Sequence, residues 1–499
     1  MGWELVAAFA RLADPVNLLA LGLSVLGGVL VGVIPGLGPF LAIVVLLPFT
    51  FHLTPDASLL ALVGIFIGGS YGGAVTAILL GIPGTPLAAA TMLDGRPMAE
   101  RGEAGRALGL AVTASVFGGI VSVALLTAFS PLLARLALNF GPAEYTLLGI
   151  LGLTTVASVA PGSTLKGLLA ASFGLLLATV GSDSPTATPR FTFGLVTLNA
   201  GLGLIPVLLG LFSIAQVVVM LEGDTSRSTA VSGVARWPQW PAAGEVRRLA
   251  PTYVKSSVIG TLIGALPGAG GVIAAFVSYA EARRASRHPE RFGTGTPEGI
   301  VASEAANSAV TGGALIPTLT LGIPGDAITA VIMGALFIHG LTPGPNLYRD
   351  HTDLLATVFV GMLLANLFML LIGMYVVRAV VYAAGVRATL VIPGVLLISV
   401  LAAYAVQTSM LDVGIMFLFG LIGYLMRKLG FPLAPVVLGM VLGELIELSL
   451  RRALTVADGD VLALLTRPYA LGIIGLITIL LLWPVLGRKR LAPATGGAE

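Results

Sequence analysis

The chain has no cysteine and few charged residues. Of its 499 residues only 10% are charged, the formal net charge is +3, and the four histidines lie far apart. The absence of cysteine excludes disulfides, thiol chemistry and cysteine-ligated metal sites. The scattered histidines form no metal-ligand spacing. Lys and Arg form no run with interleaved aromatics, so no nucleic-acid partner is expected.

Apolar residues dominate instead. They make up 56% of the chain, the mean hydropathy is +0.99, and apolar runs that could cross a lipid bilayer recur from end to end. A soluble domain carries about 25% charged residues. A β-barrel would show short segments of alternating polarity. The composition therefore predicts an all-α polytopic membrane protein.

A long motif occurs twice. The stretch Gly28–Gly38, GVLVGVIPGLG, recurs at Gly260–Gly270 as GTLIGALPGAG, and each copy is followed by Leu-Gly-Ile-Pro-Gly, at Leu80–Gly84 and at Leu321–Gly325. Two further matches pair Gly174–Gly181 with Gly423–Gly430 and Ile205–Gly210 with Ala434–Gly439. A duplicated membrane unit whose apolar segments are broken by Pro-Gly is typical of secondary transporters.

The distribution of basic residues predicts that the two halves are inverted. The loop 51–56 after the first motif has no Lys or Arg, whereas its counterpart has four arginines within 283–291. The loop after the second motif has three arginines within 96–106, and its counterpart, 340–351, has one. Cytoplasmic loops carry an excess of Lys and Arg. Equivalent loops therefore face opposite sides, as in two inverted structural repeats.

Inversion requires an odd number of crossings in each repeat. The predicted organisation is repeat 1 over 1–225, a cytoplasmic linker over 226–252, repeat 2 over 253–455, and an extra transmembrane helix with a tail over 456–499. Five crossings per repeat and one last span give 11 in total: 57–83, 104–134, 145–161, 164–181, 196–221, 299–325, 352–380, 389–408, 410–429, 433–450 and 468–487. Segments 17–51 and 254–280 are either re-entrant hairpins or full crossings, which leaves the number at about 11–12. The basic residues that this topology leaves outside the cytoplasm are Arg11, Arg135, Arg190, Arg349, Arg451, Arg452 and Arg467.

The four breaks are the candidate binding region. They cover 34–39, 81–86, 266–271 and 322–326. Proline removes an amide donor, and the half-helix after a break presents free N–H groups at the positive end of its dipole, which suits a carboxylate. Unwound carbonyls suit Na⁺. The alternative is that these sites are only kinks and helix-packing glycines.

The predicted binding residues are backbone groups at the breaks and polar side chains beside them. The substrate candidates are Pro35, Gly36, Gly38, Ser70, Gly84, Thr85, Pro267, Gly268, Gly270, Asn307, Ser308, Gly325 and Asp326. No catalytic residue and no cofactor is expected, apart from Na⁺ as a coupling ion near Gly36, Gly81, Gly268, Gly322 and Asp326. Asp326 has two interpretations, because an acid directly after a break either takes part in cation coupling or caps the next helix.

These motifs resemble the large membrane subunit of the tripartite tricarboxylate transporters, the TctA type. The resemblance rests on the paired glycine motifs, on Gly340–Pro345, GLTPGP, and on Phe292–Gly299, FGTGTPEG, with Ser303-Glu304-Ala-Ala-Asn307. It implies a bacterial inner-membrane carrier for tricarboxylates or other organic carboxylates, driven by an ion gradient. It also implies a small membrane subunit and a periplasmic substrate-binding protein as partners. An elevator-like motion would fit inverted repeats with hairpins.

The sequence thus predicts a secondary carrier, not an enzyme, that binds a carboxylate between broken helices. Two rivals remain. A membrane enzyme would need a clustered catalytic set, and none is evident in the sequence. A channel or a non-transporting scaffold subunit is the other alternative. The substrate, the choice between Na⁺ and H⁺, and the oligomeric state, with a homo-oligomer among the options, stay open.

Overall fold

The all-α class is confirmed. The computed structural model describes residues 2–34, 37–159, 163–183, 186–222, 237–267, 270–377, 379, 388–460 and 466–487, and most of them are helical. The chain divides into two compact units. Unit 1 comprises Met1–Ala137 and Gly203–Lys428, and unit 2 comprises Leu138–Leu202 and Leu429–Glu499. Each unit therefore contains segments from both predicted repeats.

Unit 1 contains the four breaks. Its helices are α1 Gly2–Leu12, α2 Pro15–Val33, α3 Gly38–Leu46, α4 Pro55–Leu80, α5 Ala89–Met98, α6 Ala104–Ala137, α9 Leu204–Leu208, α10 Ala215–Glu222, α11 Ala243–Gly264, α12 Gly270–Ala285, α13 Pro297–Leu321, α14 Ala327–Ile338, α15 Pro345–Asp350, α16 Thr352–Leu371, α17 Ala388–Gln407 and α18 Met410–Lys428. Short 3₁₀ or π segments extend several of them: Leu47–His52, Pro86–Ala88, Ala99–Glu103, Leu209–Ile214, Pro289–Arg291 and Ile372–Val376.

Unit 2 is a smaller helical group with one short hairpin. Its helices are α7 Pro142–Val159, α8 Thr164–Ala178, α19 Ala434–Val456 and α20 Pro468–Gly487, with a 3₁₀ turn at Val196–Ala200. Strands β1 Gly181–Ser182 and β2 Pro189–Arg190 pair antiparallel, with Gly181 opposite Arg190. Helix α19 packs on both α7 and α8.

Six described helical segments are long and apolar enough to cross a membrane: Pro15–Val33, Pro55–Leu80, Pro86–Ala137, Leu204–Glu222, Thr352–Val376 and Met410–Lys428. Helix α13 has the length, at 25 residues, but its Ser, Glu, Asn and Thr residues lower its hydropathy. Helix α2 could cross alone, whereas α3 has only 9 residues. Both the hairpin and the crossing therefore remain open for the opening segment.

Each predicted break interrupts a helix, and matched breaks have matched backbone conformations. Helix α4 ends at Gly81 with φ 68° and α13 ends at Gly322 with φ 69°, both left-handed caps that glycine adopts without strain. Helix α3 starts at Gly38 with φ 66° and α12 starts at Gly270 with φ 67°. The duplicated sequence therefore specifies the same turns twice.

Glycines in the first motif allow two helix pairs to pack backbone against backbone. A Cβ atom at Gly28 would lie 2.5 Å from the carbonyl oxygen of Ile65, so α2 sits directly on α4. In the second half, a Cβ at Gly260 would lie 2.7 Å from Ala306 Cα, which brings α11 equally close to α13. Small residues permit this approach, and membrane helices gain van der Waals contact from it.

Other helix contacts in unit 1 recur with their partners exchanged. Helix α4 contacts α16, while α13, which matches α4, contacts α6, which matches α16. Likewise α3 contacts α14, while its match α12 contacts α5. A two-fold relation between halves generates such exchanged pairs.

Several arginines outside the predicted cytoplasmic loops form ion pairs. In unit 2, Arg190 and Arg451 both bind Asp183 and Glu447, with the Arg190 Nη1 to Glu447 Oε1 distance at 2.6 Å. A hydrogen bond from Thr186, together with the two guanidinium groups, lowers the pKa of Asp183. Arg11, Arg349 and Arg467 are also paired with acids.

The glycine contacts give a direct stability test. We expect Gly28→Ala to destabilise the purified protein by about 1–3 kcal/mol, because the new methyl group overlaps the α4 backbone. Gly27→Ala is the matched control, since a Cβ there meets nothing within 4 Å. Thermal unfolding in detergent measures both variants. Equal melting temperatures for the two would contradict the close α2–α4 packing.

Candidate functional site

The loop after α4 brings three of the four breaks together. Thr85 lies against α4, where a Cβ at Gly73 would be 2.9 Å from Thr85 N, and close to the start of α3, where a Cβ at Gly38 would be 3.8 Å from Thr85 Cγ2. Leu87 lies against the start of α12, where a Cβ at Gly271 would be 2.5 Å from Leu87 Cδ2. The fourth break directly precedes α14, and α14 contacts α3, which follows the first break.

Several predicted binding groups are already engaged within the fold. The Gly84 amide donates to the Gly73 carbonyl at 3.2 Å, and the Gly325 amide donates to Thr318 Oγ1 at 3.2 Å. Ser70 Oγ donates to Phe66 O at 2.8 Å. Gly38, Pro267 and Gly270 are half-buried. Pro35, Gly36 and Gly268 lie outside the described residues.

Among the buried polar atoms that have no hydrogen-bond partner in the described part of the chain, four lie on a predicted binding residue or directly beside one. They are Tyr71 Oη, Thr85 Oγ1, Asn307 Oδ1 and Ser308 Oγ, on residues no more than 2% exposed. Asn307 Nδ2 donates to Ser70 O at 3.0 Å, and Asn307 Oδ1 lies 3.3 Å from a Cβ position at Gly271. Buried polar groups are rarely left unpaired, so these four atoms are the candidates for contact with a ligand.

A carboxyl group lies one turn away, in a cluster that the sequence did not reveal. Glu304 is fully buried; its Oε1 accepts a hydrogen bond from Thr91 of α5, and its Oε2 accepts one from Ser115 of α6 at 2.9 Å. Thr91 Oγ1 also lies 2.9 Å from Ser303 Oγ. The sequence placed Glu304 just before the fourth break. It gave no sign that Ser115 would face it, because that residue is 189 positions away.

A second buried acid joins α5 to the glycine-rich loop before α13. Asp94 Oδ1 accepts from the amides of Gly293, Gly295 and Thr296 at 3.0, 2.8 and 2.8 Å, and Asp94 Oδ2 accepts from Tyr279 Oη at 2.8 Å. Three backbone amides converging on one oxygen hold the loop in a fixed conformation. The segment FGTGTPEG, noted as a motif, therefore folds around an acid of the other half.

Asp326 caps α14. Its Oδ1 accepts from the Thr329 amide at 2.8 Å, and Thr329 Oγ1 accepts from the Asp326 amide at 2.9 Å, which completes a capping box. The geometry accounts for one of the two interpretations of this residue. A part in cation coupling stays a prediction.

One cation lies at the second break. Arg96 Nη1 donates to the Leu79 carbonyl at 2.5 Å, at the C-terminal end of α4, and its Nε pairs with Glu100 at 2.8 Å. The motif itself has no Lys or Arg, so the sequence did not predict a guanidinium group beside it. The Arg96 guanidinium group satisfies a carbonyl that has no partner within α4, because it lies at the end of the helix.

These features define a class: a polytopic helical membrane protein in which broken helices meet at a buried polar site. The sequence model of the "Tripartite tricarboxylate transporter TctA family" matches residues 18–438. The chain belongs to that family, as its motifs predicted.

Two relatives come from Agrobacterium vitis. One, described as "Uncharacterized 52.8 kDa protein in TAR-I ttuC' 3'region", is 37% identical over 490 residues, covering 98% of this chain and 97% of the relative. The other, "Uncharacterized protein in TAR-II ttuC' 3'region", is 34% identical over 234 residues, covering 46% of this chain and 97% of the relative. No solved structure matches the chain significantly.

Replacing Asp326 separates the charge from the cap. Asparagine caps helices as well as aspartate, so Asp326→Asn should leave the melting temperature near wild type, whereas Asp326→Ala should cost about 1 kcal/mol. Thermal unfolding checks both. If the carboxylate also couples a cation, Asp326→Asn changes the Na⁺ or pH dependence of transport; unchanged profiles would leave Asp326 a cap only.

Replacing Asp94 tests the loop anchor. Asp94→Ala removes the acceptor of four hydrogen bonds, and we expect a loss of at least about 3 kcal/mol and faster hydrogen exchange at 293–296. Tyr279→Phe removes one of these bonds and should cost about 1 kcal/mol. Exchange at the loop that is no faster in Asp94→Ala than in Tyr279→Phe would contradict the anchoring role.

Proposed function

We propose that the chain is the large membrane subunit of a secondary active transporter that imports a tricarboxylate or a related organic carboxylate across a bacterial inner membrane. A Na⁺ or H⁺ gradient drives uptake, a periplasmic binding protein delivers the substrate, and a small membrane subunit completes the complex. The observation that carries this proposal is a set of buried polar atoms without described partners: Thr85 Oγ1 and Asn307 Oδ1 beside the breaks, with Tyr71 Oη on α4 and Ser308 Oγ on α13. Membership of a transporter family supports it and disfavours an enzyme.

The polar atoms suit an organic acid. The hydroxyl groups of Tyr71, Thr85 and Ser308 can each donate a hydrogen bond to a carboxylate oxygen. Asn307 Oδ1 can accept from a hydroxyl or a protonated carboxyl of the substrate. The starts of α3 and α12 add positive dipole ends. In this proposal the substrate thus binds through dipoles and hydroxyls, with Arg96 the nearest fixed cation at the second break.

The transport cycle rests on two inverted repeats that move in an elevator-like way. The matched φ angles at Gly81 and Gly322 and the exchanged helix contacts in unit 1 support the two-fold relation. Inverted repeats allow the two halves to exchange conformations around one site, which gives alternating access. A channel or a scaffold subunit is the rival, and saturation kinetics separates a carrier from a pore.

Uptake by the reconstituted complex tests this function. The chain, its small subunit and the binding protein are placed in proteoliposomes, and a panel of labelled carboxylates is offered with and without Na⁺ and pH gradients. We expect saturable accumulation of at least one carboxylate. Ser308→Ala and Thr85→Val should each raise KM about tenfold, the effect of one lost hydrogen bond to a charged group.

Ser58→Ala is the matched control. Ser58 is a buried serine on α4 whose Oγ has no described partner, and it lies near the helix start, away from the breaks. Its KM should equal that of the wild type. Transport of neutral or cationic solutes alone would contradict the anion site, and flux that never saturates would favour a channel.

A further inference from the structure

Glu304 is a buried acid without a cationic partner. The carboxyl group is fully buried in α13, and its hydrogen-bond partners are the side chains of Thr91 and Ser115. No Arg or Lys among the described residues forms a salt bridge with it; Lys255 on the neighbouring α11 pairs with Glu281 instead. An unpaired carboxylate in such a place is costly, so the group favours its neutral form.

The hydrogen bonds around Glu304 also fit a protonated acid. Ser303 Oγ lies 2.9 Å from the Gly299 carbonyl, and Thr91 Oγ1 lies 2.9 Å from Ser303 Oγ. Each hydroxyl has one proton to donate. Thr91 donates to Glu304 Oε1 when the acid is ionised. If Ser303 donates to Gly299 and Thr91 donates to Ser303, this bond reverses and the protonated carboxyl group donates to Thr91. With Glu304 protonated, each contact in this series of hydrogen bonds has a proton. With Glu304 ionised, one contact has none.

The other titratable groups around Glu304 are neutral or engaged. Tyr71 of α4 packs its ring against Gly373, where a Cβ would lie 2.9 Å from Tyr71 Cε1, and its hydroxyl makes no hydrogen bond among the described residues. Asp94 of α5 binds the loop amides and Tyr279 of α12, and Tyr253 of α11 contacts Thr113 of α6 at 3.1 Å. Helix α6 presents Ser115 to the carboxyl group. Glu304 is thus the acid of this cluster that can gain or lose a proton without disturbing the loop amides that Asp94 holds.

Glu304 also shares a helix face with the proposed substrate groups. Asn307 and Ser308 follow it at i+3 and i+4, one turn along α13. Asn307 ties this face of α13 to α4, because its Nδ2 donates to the Ser70 carbonyl at 3.0 Å. A substrate carboxylate bound at Asn307 and Ser308 would be repelled by ionised Glu304 and tolerated by the neutral acid.

We propose that Glu304 is the proton-binding residue of the transporter and that it must be protonated when the carboxylate substrate binds beside it. This inference rests on the proposed function and deepens it, because it assigns the coupling ion and the residue that carries it. By linkage, substrate binding strengthens proton binding at Glu304 by the same factor that the proton strengthens substrate binding. Loss of the proton on the cytoplasmic side then favours release of the acid.

Infrared spectroscopy of the purified protein tests the protonation directly and does not depend on transport. A buried neutral carboxylic acid gives a C=O stretch distinct from that of a carboxylate. We expect this band in the wild type at neutral pH and its loss in Glu304→Gln. Glu298→Gln, at the first turn of the same helix, is the matched control and keeps the band. If Glu304→Gln does not fold, Glu304→Asp replaces it and should shift the band.

Transport then tests the coupling. In proteoliposomes containing the whole complex, a pH gradient should drive wild-type accumulation, and Glu304→Gln should lower it by at least about tenfold while exchange of internal for external substrate continues. A wild-type band that is absent, or equally strong in Glu304→Gln, would overturn the proposal. So would accumulation that follows a Na⁺ gradient and ignores pH, although the carboxylate carrier would stand. Failure to transport any carboxylate would instead overturn the proposed function and leave the infrared result to decide the protonation.

Discussion

The fold depends on one constraint, that backbone polar groups inside a bilayer must find partners within the protein. Each break leaves backbone carbonyls and amides without partners in their own helix. Among the described residues, these groups bond to side chains at one break and to backbone at another. The end of α4 is satisfied by the Arg96 side chain at Leu79 O, whereas the end of α13 is satisfied by the Gly344 amide at Leu319 O, 3.1 Å away. Matched backbones thus have unmatched partners, and the two halves present different chemistry at equivalent turns.

The same constraint explains why glycine is concentrated at the breaks and on the helices beside them. A broken helix is tolerated in a membrane where neighbouring protein surrounds it, and glycine allows the neighbouring helix backbone to approach closely. Gly28 of α2, packed against α4, and Gly260 of α11, packed against α13, provide that contact in the two halves. The resulting core is tight around the breaks, and in the proposed function the hydroxyl groups of Tyr71, Thr85 and Ser308, unpartnered among the described residues, contact the substrate.

Much of the fold could be predicted from the sequence, and the reasons are physical. Apolar length fixed the helices, so the span predicted at 104–134 appears as Ala104–Ala137 and the one at 410–429 as Met410–Lys428. Proline and glycine located the breaks. What could not be predicted depends on contacts distant in sequence: Thr91 and Ser115 reach Glu304 from 213 and 189 residues away, and Asp94 reaches Gly295 across 201. No local pattern encodes which face of α5 or α6 meets α13. The inverted topology and the number of crossings stay predictions.

The central claim is that an organic acid binds where the broken helices meet, held by hydroxyl groups and helix dipoles. Electron cryo-microscopy of the complex loaded with its carboxylate tests this most directly. The account predicts ligand density in contact with Thr85, Asn307 and Ser308, with Glu304 one helical turn away. Density at the apolar groove lined by Val16, Leu23 and Ile65, or anywhere remote from the breaks, would contradict it.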